Sequence, residues 1–175
     1  QSMTTVKLLR YSLSFLIYFL IQVFILKDLV LFGYAFCFLY VFFVLNLPHE
    51  VPTIPLLLIG FFLGILVDLF YDSLGVHAAS TVFLAFVRNT WIKVIMPTGG
   101  YDDNVPPTLL NMGFGWYIFY SLPLILLHHF IFFYIDSLGT HLYLPLVIRV
   151  LSSLVFTFLL GSIVQAIFYK KERVI

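Results

Sequence analysis

Charge is what this chain has least of. Only 10% of its 175 residues are Asp, Glu, Lys or Arg, while 62% are apolar. A soluble domain carries about 25% charged residues, so the composition excludes a water-soluble fold. No basic tract or stacking platform is present, which excludes nucleic acid as a partner. Cysteine is nearly absent too. Cys37 stands alone, so an internal disulfide and a thiolate metal site are both excluded. No His-x-x-x-His or Glu-x-x-His spacing falls inside an apolar run, and no nucleophile elbow or phosphate loop occurs. Catalysis, a metal and a cofactor are therefore not expected. No polar stretch is long enough for a separate soluble domain.

What the chain does have is long apolar runs, with a mean hydropathy of +1.09. A membrane helix needs about 20 apolar residues. The sequence predicts an all-α integral membrane protein, one polytopic domain over residues 3–175, with six transmembrane helices. Gln1-Ser2 before Met3 read as a tag remnant. The first apolar run lacks a small-residue cleavage site and reads as a retained span. The predicted spans are Leu8–Leu26, Leu29–Leu47, Pro55–Tyr71, Val76–Ile95, Leu110–Ile135 and Pro145–Tyr169. Polar breaks separate them at Lys27-Asp28, 46–55, Asp72–Gly75, 96–109 and Asp136–Leu144.

Six spans put both termini on one side. With the termini inside, that side holds Lys7, Arg10, Arg88, Lys93, Lys170, Lys171 and Arg173, seven of the nine Lys and Arg residues. The positive-inside rule then predicts cytoplasmic termini. The 46–55 and 96–109 loops, with Glu50 and Asp102-Asp103, face the cytoplasm. The outer turns contain an echo: Asp72-Ser73-Leu74-Gly75-Val76-His77 recurs as Asp136-Ser137-Leu138-Gly139-Thr140-His141. It reads either as a repeat of three-helix halves or as two similar turns.

The chain is organised around residues 55–80. Gly60, Gly64, Asp68 and Asp72 follow one another at four-residue spacing, so they share one helical stripe. Glycines there let another helix approach closely, whether a neighbour in the same bundle or a partner. Asp68 lies about 6 Å from the outer end of its span at 1.5 Å per residue. A charge at that depth needs a partner or a task. Arg149 lies as deep in the last span from the same side, so an Asp68–Arg149 ion pair is expected. His77, His128, Asp136 and His141 add to the polar groups of the outer half. They read as structural pairs, a ligand pocket or a metal site. Adjacent His128 and His129 point about 100° apart on a helix, which counts against a metal.

Residues 60–79, GFFLGILVDLFYDSLGVHAA, resemble the rod shape-determining MreD family. The likeness lies in Gly-x-x-x-Gly, an Asp in the same helix, a short turn with Leu74-Gly75, and a small-residue helix start after His77. A proline often precedes the Leu-Gly of that family's turn; Ser73 stands here. The resemblance implies a non-catalytic scaffold of the bacterial cell-elongation machinery in the inner membrane. It implies as partners an MreC-like bitopic protein, an MreB-like filament, and a RodA-type glycosyltransferase with its penicillin-binding transpeptidase, all within the lipid bilayer. The family also looks like the substrate-binding subunits of energy-coupling-factor transporters. That gives a second expectation, a vitamin-type binding subunit. Such subunits usually carry Ala-x-x-x-Ala in the first helix, and residues 8–26 contain no alanine.

Overall fold

The structure is a computed structural model that describes residues 5–102, 105–138 and 143–171. Its long helices are α1 (Thr5–Ile21), α3 (Thr53–Tyr71), α4 (Val76–Val94), α6 (Phe114–Asp136) and α7 (Tyr143–Phe168). The short ones are α2 (Val41–Leu45) and α5 (Leu109–Met112). A π-helical turn, Gln22–Leu26, extends α1. Four helices are long and apolar enough to cross a membrane: α1 with its π turn, α3, α6 and α7. Their outward faces carry large apolar side chains such as Leu9, Phe62, Phe119 and Leu159. Helix α4 matches the predicted fourth span in length but is more polar. It buries His77, Ser80, Thr81, Arg88 and Asn89 against its neighbours.

The predicted second span is not a long helix. Residues 29–47 begin as an antiparallel hairpin, β1 (Val30–Leu31) with β2 (Ala35–Phe36), in the register Val30↔Phe36. Phe32 and Gly33 at its tip both have positive φ, 52° and 75°, the signature of a type I′ turn. The chain then continues without helical pairing through Cys37–Leu39 before the single turn of α2. Cys37 through Leu45 are all buried, with Tyr40, Val41, Phe42, Val44 and Leu45 wholly so. The residues explain the choice. Val30, Tyr34, Phe36, Phe38 and Tyr40 favour extended backbone, and Gly33 supplies the reversal.

The helices wrap around this segment. Helix α3 packs on α4, α4 on α6, α6 on α7, and α7 on β2, while α1 leans on α3. A bilayer offers little hydrophobic drive for such packing, because lipid tails are as apolar as leucine. Close fit has to hold it together. At Gly64 an added Cβ would lie 2.4 Å from Ala78 Cα, so α3 and α4 touch through backbone. At Gly161 on α7 it would lie 2.1 Å from the Phe42 ring. Gly60 has ordinary contacts instead, 3.4–3.5 Å from Thr81 and Ala85.

Helix α6 contains Pro123, which cannot donate to the carbonyl of Phe119. That carbonyl accepts the indole N–H of Trp91 instead, at 3.1 Å. A freed backbone acceptor inside an apolar bundle is thereby satisfied from a neighbouring helix.

The glycine contacts give a graded expectation. Gly64→Ala and Gly161→Ala force backbone or ring displacement and destabilise by about 1–3 kcal/mol. Gly60→Ala stays close to wild type. Thermal unfolding of the three variants in one detergent checks the order, and equal stability of all three contradicts the packing described.

Candidate functional site

Two buried polar clusters lie along the central segment. The first is at the hairpin end, where α3 turns into α4. Asp72 ends α3 in the left-handed region (φ 52°), and Leu74 and Gly75 follow at 46° and 90°. This tight reversal brings the N-terminus of α4 back onto Asp68. One oxygen of its carboxylate accepts the amide of His77 at 2.9 Å, the other that of Ala78 at 2.9 Å. Ser73 donates its hydroxyl to the same carboxylate, and His77 Nδ1 lies 2.9 Å away. Asp68 is therefore a helix cap supplied from the preceding helix. Negative charge at a helix N-terminus is stabilising there twice over, through hydrogen bonds and through the helix dipole.

The predicted Asp68–Arg149 pair does not form. Helix α7 packs against α6 and β2, away from α3, and the Asp68 oxygens are already taken up at the α4 terminus. Arg149 is half-buried, and its Nε has no hydrogen-bond partner among the described residues. Asp136 ends α6 and is exposed. His141 lies outside the described residues. Of these polar groups, the fold brings Asp68 and His77 into contact, with His128 linked to His77 through Thr81.

His77 is fully buried, ringed by Phe38, Tyr40, Tyr71 and Phe132. Across the central segment, Tyr40 Oη lies 2.8 Å from His128 Nε2 and 3.0 Å from Thr81 Oγ1, and Thr81 donates to the carbonyl of His77 at 2.7 Å. His129 faces the other side of α6. Its Nδ1 donates to the Ile125 carbonyl at 2.8 Å, and Thr157 lies 3.0 Å from its Nε2. The two histidines serve different networks, as their angular separation requires. Among the described residues no three His, Cys, Asp or Glu side chains converge as metal ligands.

Ser73, His77 and Asp68 are the residue types of a nucleophilic triad, but their arrangement is wrong for one. Ser73 Oγ and the carboxylate both meet His77 Nδ1. A proton relay needs serine and carboxylate on opposite ring nitrogens. The trio locks a turn, with the serine hydroxyl committed to the Asp68 carboxylate.

The non-helical backbone of the central segment is served by side chains that sequence reasoning passed over. Ser153 accepts the amide of Phe36 at 2.9 Å, and Thr157 that of Phe38 at 3.1 Å. Gln22 accepts the amide of Tyr40 at 3.3 Å and donates to the Cys37 carbonyl at 2.9 Å. Ser153, Thr157, Gly161 and Gln165 follow at four-residue spacing and form one stripe of α7. The signal was a second polar-and-small stripe inside an apolar span, which mirrors the one on α3.

The second cluster lies at the other end of the segment. Arg88 is fully buried. Its Nε donates to Tyr120 Oη at 2.8 Å, its Nη2 reaches the carbonyls of Leu45 and Leu47, and its Nη1 donates to Asn89 at 3.3 Å. Tyr120 donates in turn to the Leu45 carbonyl at 2.7 Å. These are the last carbonyls of α2 and the residues after it, which lack helical partners. Tyr117 donates to Asn46 at 3.1 Å and accepts from Gln165 at 2.8 Å. Arg88 entered the sequence reading as a marker of topology; it acts as a clamp on the end of the central segment.

Compared with known proteins, the chain matches no family model, no curated protein and no solved structure.

The capping geometry predicts how Asp68 couples to its surroundings. Asp68→Ala removes charge-assisted hydrogen bonds worth about 1.5–3 kcal/mol each and destabilises the fold strongly. In a double-mutant cycle, Asp68→Ala and His77→Ala couple by about 0.5–3 kcal/mol, while Asp68→Ala and Arg149→Ala add within about 0.5 kcal/mol. Unfolding free energies in bilayer mimetics measure both. Strong coupling to Arg149 contradicts the cap.

Proposed function

We propose that this chain is a non-catalytic membrane scaffold of the bacterial cell-elongation machinery, of the rod shape-determining MreD kind. It sits in the inner membrane as a multi-pass protein with cytoplasmic termini. The observation that carries the reading is the fate of residues 60–79, where the family likeness lies. Gly64 receives the backbone of α4, Asp68 caps that helix, and Ser73 and His77 bind the same carboxylate. The segment is a rigid helical hairpin whose polar groups are used internally. That is the chemistry of a platform.

A second point supports it. The space between α4, α6 and α7, where a small-molecule binding subunit would need its pocket, is filled by the chain's own Phe38, Tyr40 and Phe42. The hairpin end meanwhile displays apolar side chains. Leu74 and Phe32 are almost completely exposed, at 101% and 93%, and both have positive φ. A non-glycine residue held there costs about 1–2 kcal/mol, so two exposed turns carry strain. They are suited to contact an MreC-like bitopic partner at the membrane surface. Assembly with a RodA-type glycosyltransferase, its transpeptidase and an MreB-like filament belongs to the same reading.

Deletion in the native rod-shaped host is expected to give rounded cells, and the intact chain restores rods. Unchanged shape together with a vitamin-uptake defect assigns the chain to transport instead. A reporter fused after Lys171 is expected to be active only in the cytoplasm.

A further inference from the structure

Helix α1 is the least buried of the apolar helices. Between it and the end of α7 lies a cavity of about 460 Å³. Leu13, Ile17 and Ile21 form one wall and Val164 and Phe168 the other, with Phe43 at the back. The lining also carries polar groups: Tyr18 and Tyr169 approach each other to 3.3 Å, and Asn46 is part of the same lining. Asn46 is 4% exposed, and its Nδ2 donor has no hydrogen-bond partner among the described residues. Arg10 also lines the cavity. Lys7 stands one turn earlier on α1, and Lys170 and Lys171 follow Tyr169 directly, so basic residues flank the lining on both chain segments.

The lining selects the occupant. On α1 it runs from Arg10 to Ile21, about 16 Å at 1.5 Å per residue. It is mostly apolar, with two phenols, an amide and a cation among its residues, which matches the hydrocarbon tail, ester oxygens and phosphate of one lipid. We propose that this groove holds one acyl chain of an anionic phospholipid, from the leaflet at the end where α1 begins. The chain lies against Ile17, Ile21 and Val164. The ester oxygens meet Tyr18, Tyr169 and the free donor of Asn46. The phosphate meets Arg10 and the neighbouring lysines. A cationic rim near the surface favours anionic headgroups by about 1 kcal/mol per engaged residue, which is about fivefold.

The test uses the full chain reconstituted in vesicles of equal phosphatidylglycerol and phosphatidylcholine, then extracted gently for native mass spectrometry. One phosphatidylglycerol is expected to stay bound, enriched about fivefold or more over phosphatidylcholine. Arg10→Gln is expected to lower that enrichment about fivefold while one lipid is still retained. Leu13→Trp, at a lipid-facing wall position where folding is undisturbed, and Val164→Trp are expected to expel the lipid. Retention of both lipids in the vesicle ratio overturns the proposal. So does Leu13→Trp holding lipid as wild type does. Crosslinks from Leu13 to a co-purified polypeptide, with no lipid retained, also overturn it and assign the groove to a partner helix.

Discussion

Everything in this fold depends on one constraint: backbone amides removed from both water and helical pairing must find acceptors. Phe36, Phe38 and Tyr40 present such amides in the middle of an apolar bundle. An unsatisfied one costs several kcal/mol in hydrocarbon, enough to unfold the segment. Ser153, Thr157 and Gln22 supply the oxygens. Those three residues tie the segment to α7 on one side and to the end of α1 on the other. The packing of Phe42 into Gly161 follows from the same alignment. Take away the hydroxyl stripe of α7, and the amides of Phe36 and Phe38 lose their acceptors.

The buried charges obey a related rule. Asp68 and Arg88 carry opposite signs on adjacent helices, yet neither neutralises the other. Each is matched to a backbone terminus: the carboxylate to free amides at the start of α4, the guanidinium to free carbonyls after α2. Partial charges at the ends of peptide segments serve as counter-ions. The result is a bundle that needs no interhelical ion pair between these two charges, and whose two ends are clamped independently.

Much of this was legible in the sequence. The edges of α3, α4 and α7 follow from Pro55, from the Asp72–Gly75 break and from the ends of apolar runs, within two residues. The close contact at Gly64 follows from its spacing. The partner of Asp68 did not follow, because depth matching across a bundle ignores the nearest candidate. A turn of four residues returns the next helix's amides to the same level, and those amides need an acceptor. The second apolar run was misread for a different reason. Hydropathy measures burial and cannot separate a helix from a buried extended segment. The discriminating signs were the aromatic and β-branched run around Gly33, and the matching row of Ser153, Thr157 and Gln165 more than a hundred residues later.

That separation has a consequence for how the protein is made. Phe36 and Phe38 wait for acceptors 117 and 119 residues downstream. At a synthesis rate of about 5–20 residues per second, the wait lasts about 6–24 s. During it, Gln22, the acceptor of the Tyr40 amide, exists, but neither acceptor of Phe36 and Phe38 does. The nascent segment therefore cannot stand in lipid in its final form. The final arrangement of this segment is thus reached only after the last helix has been made.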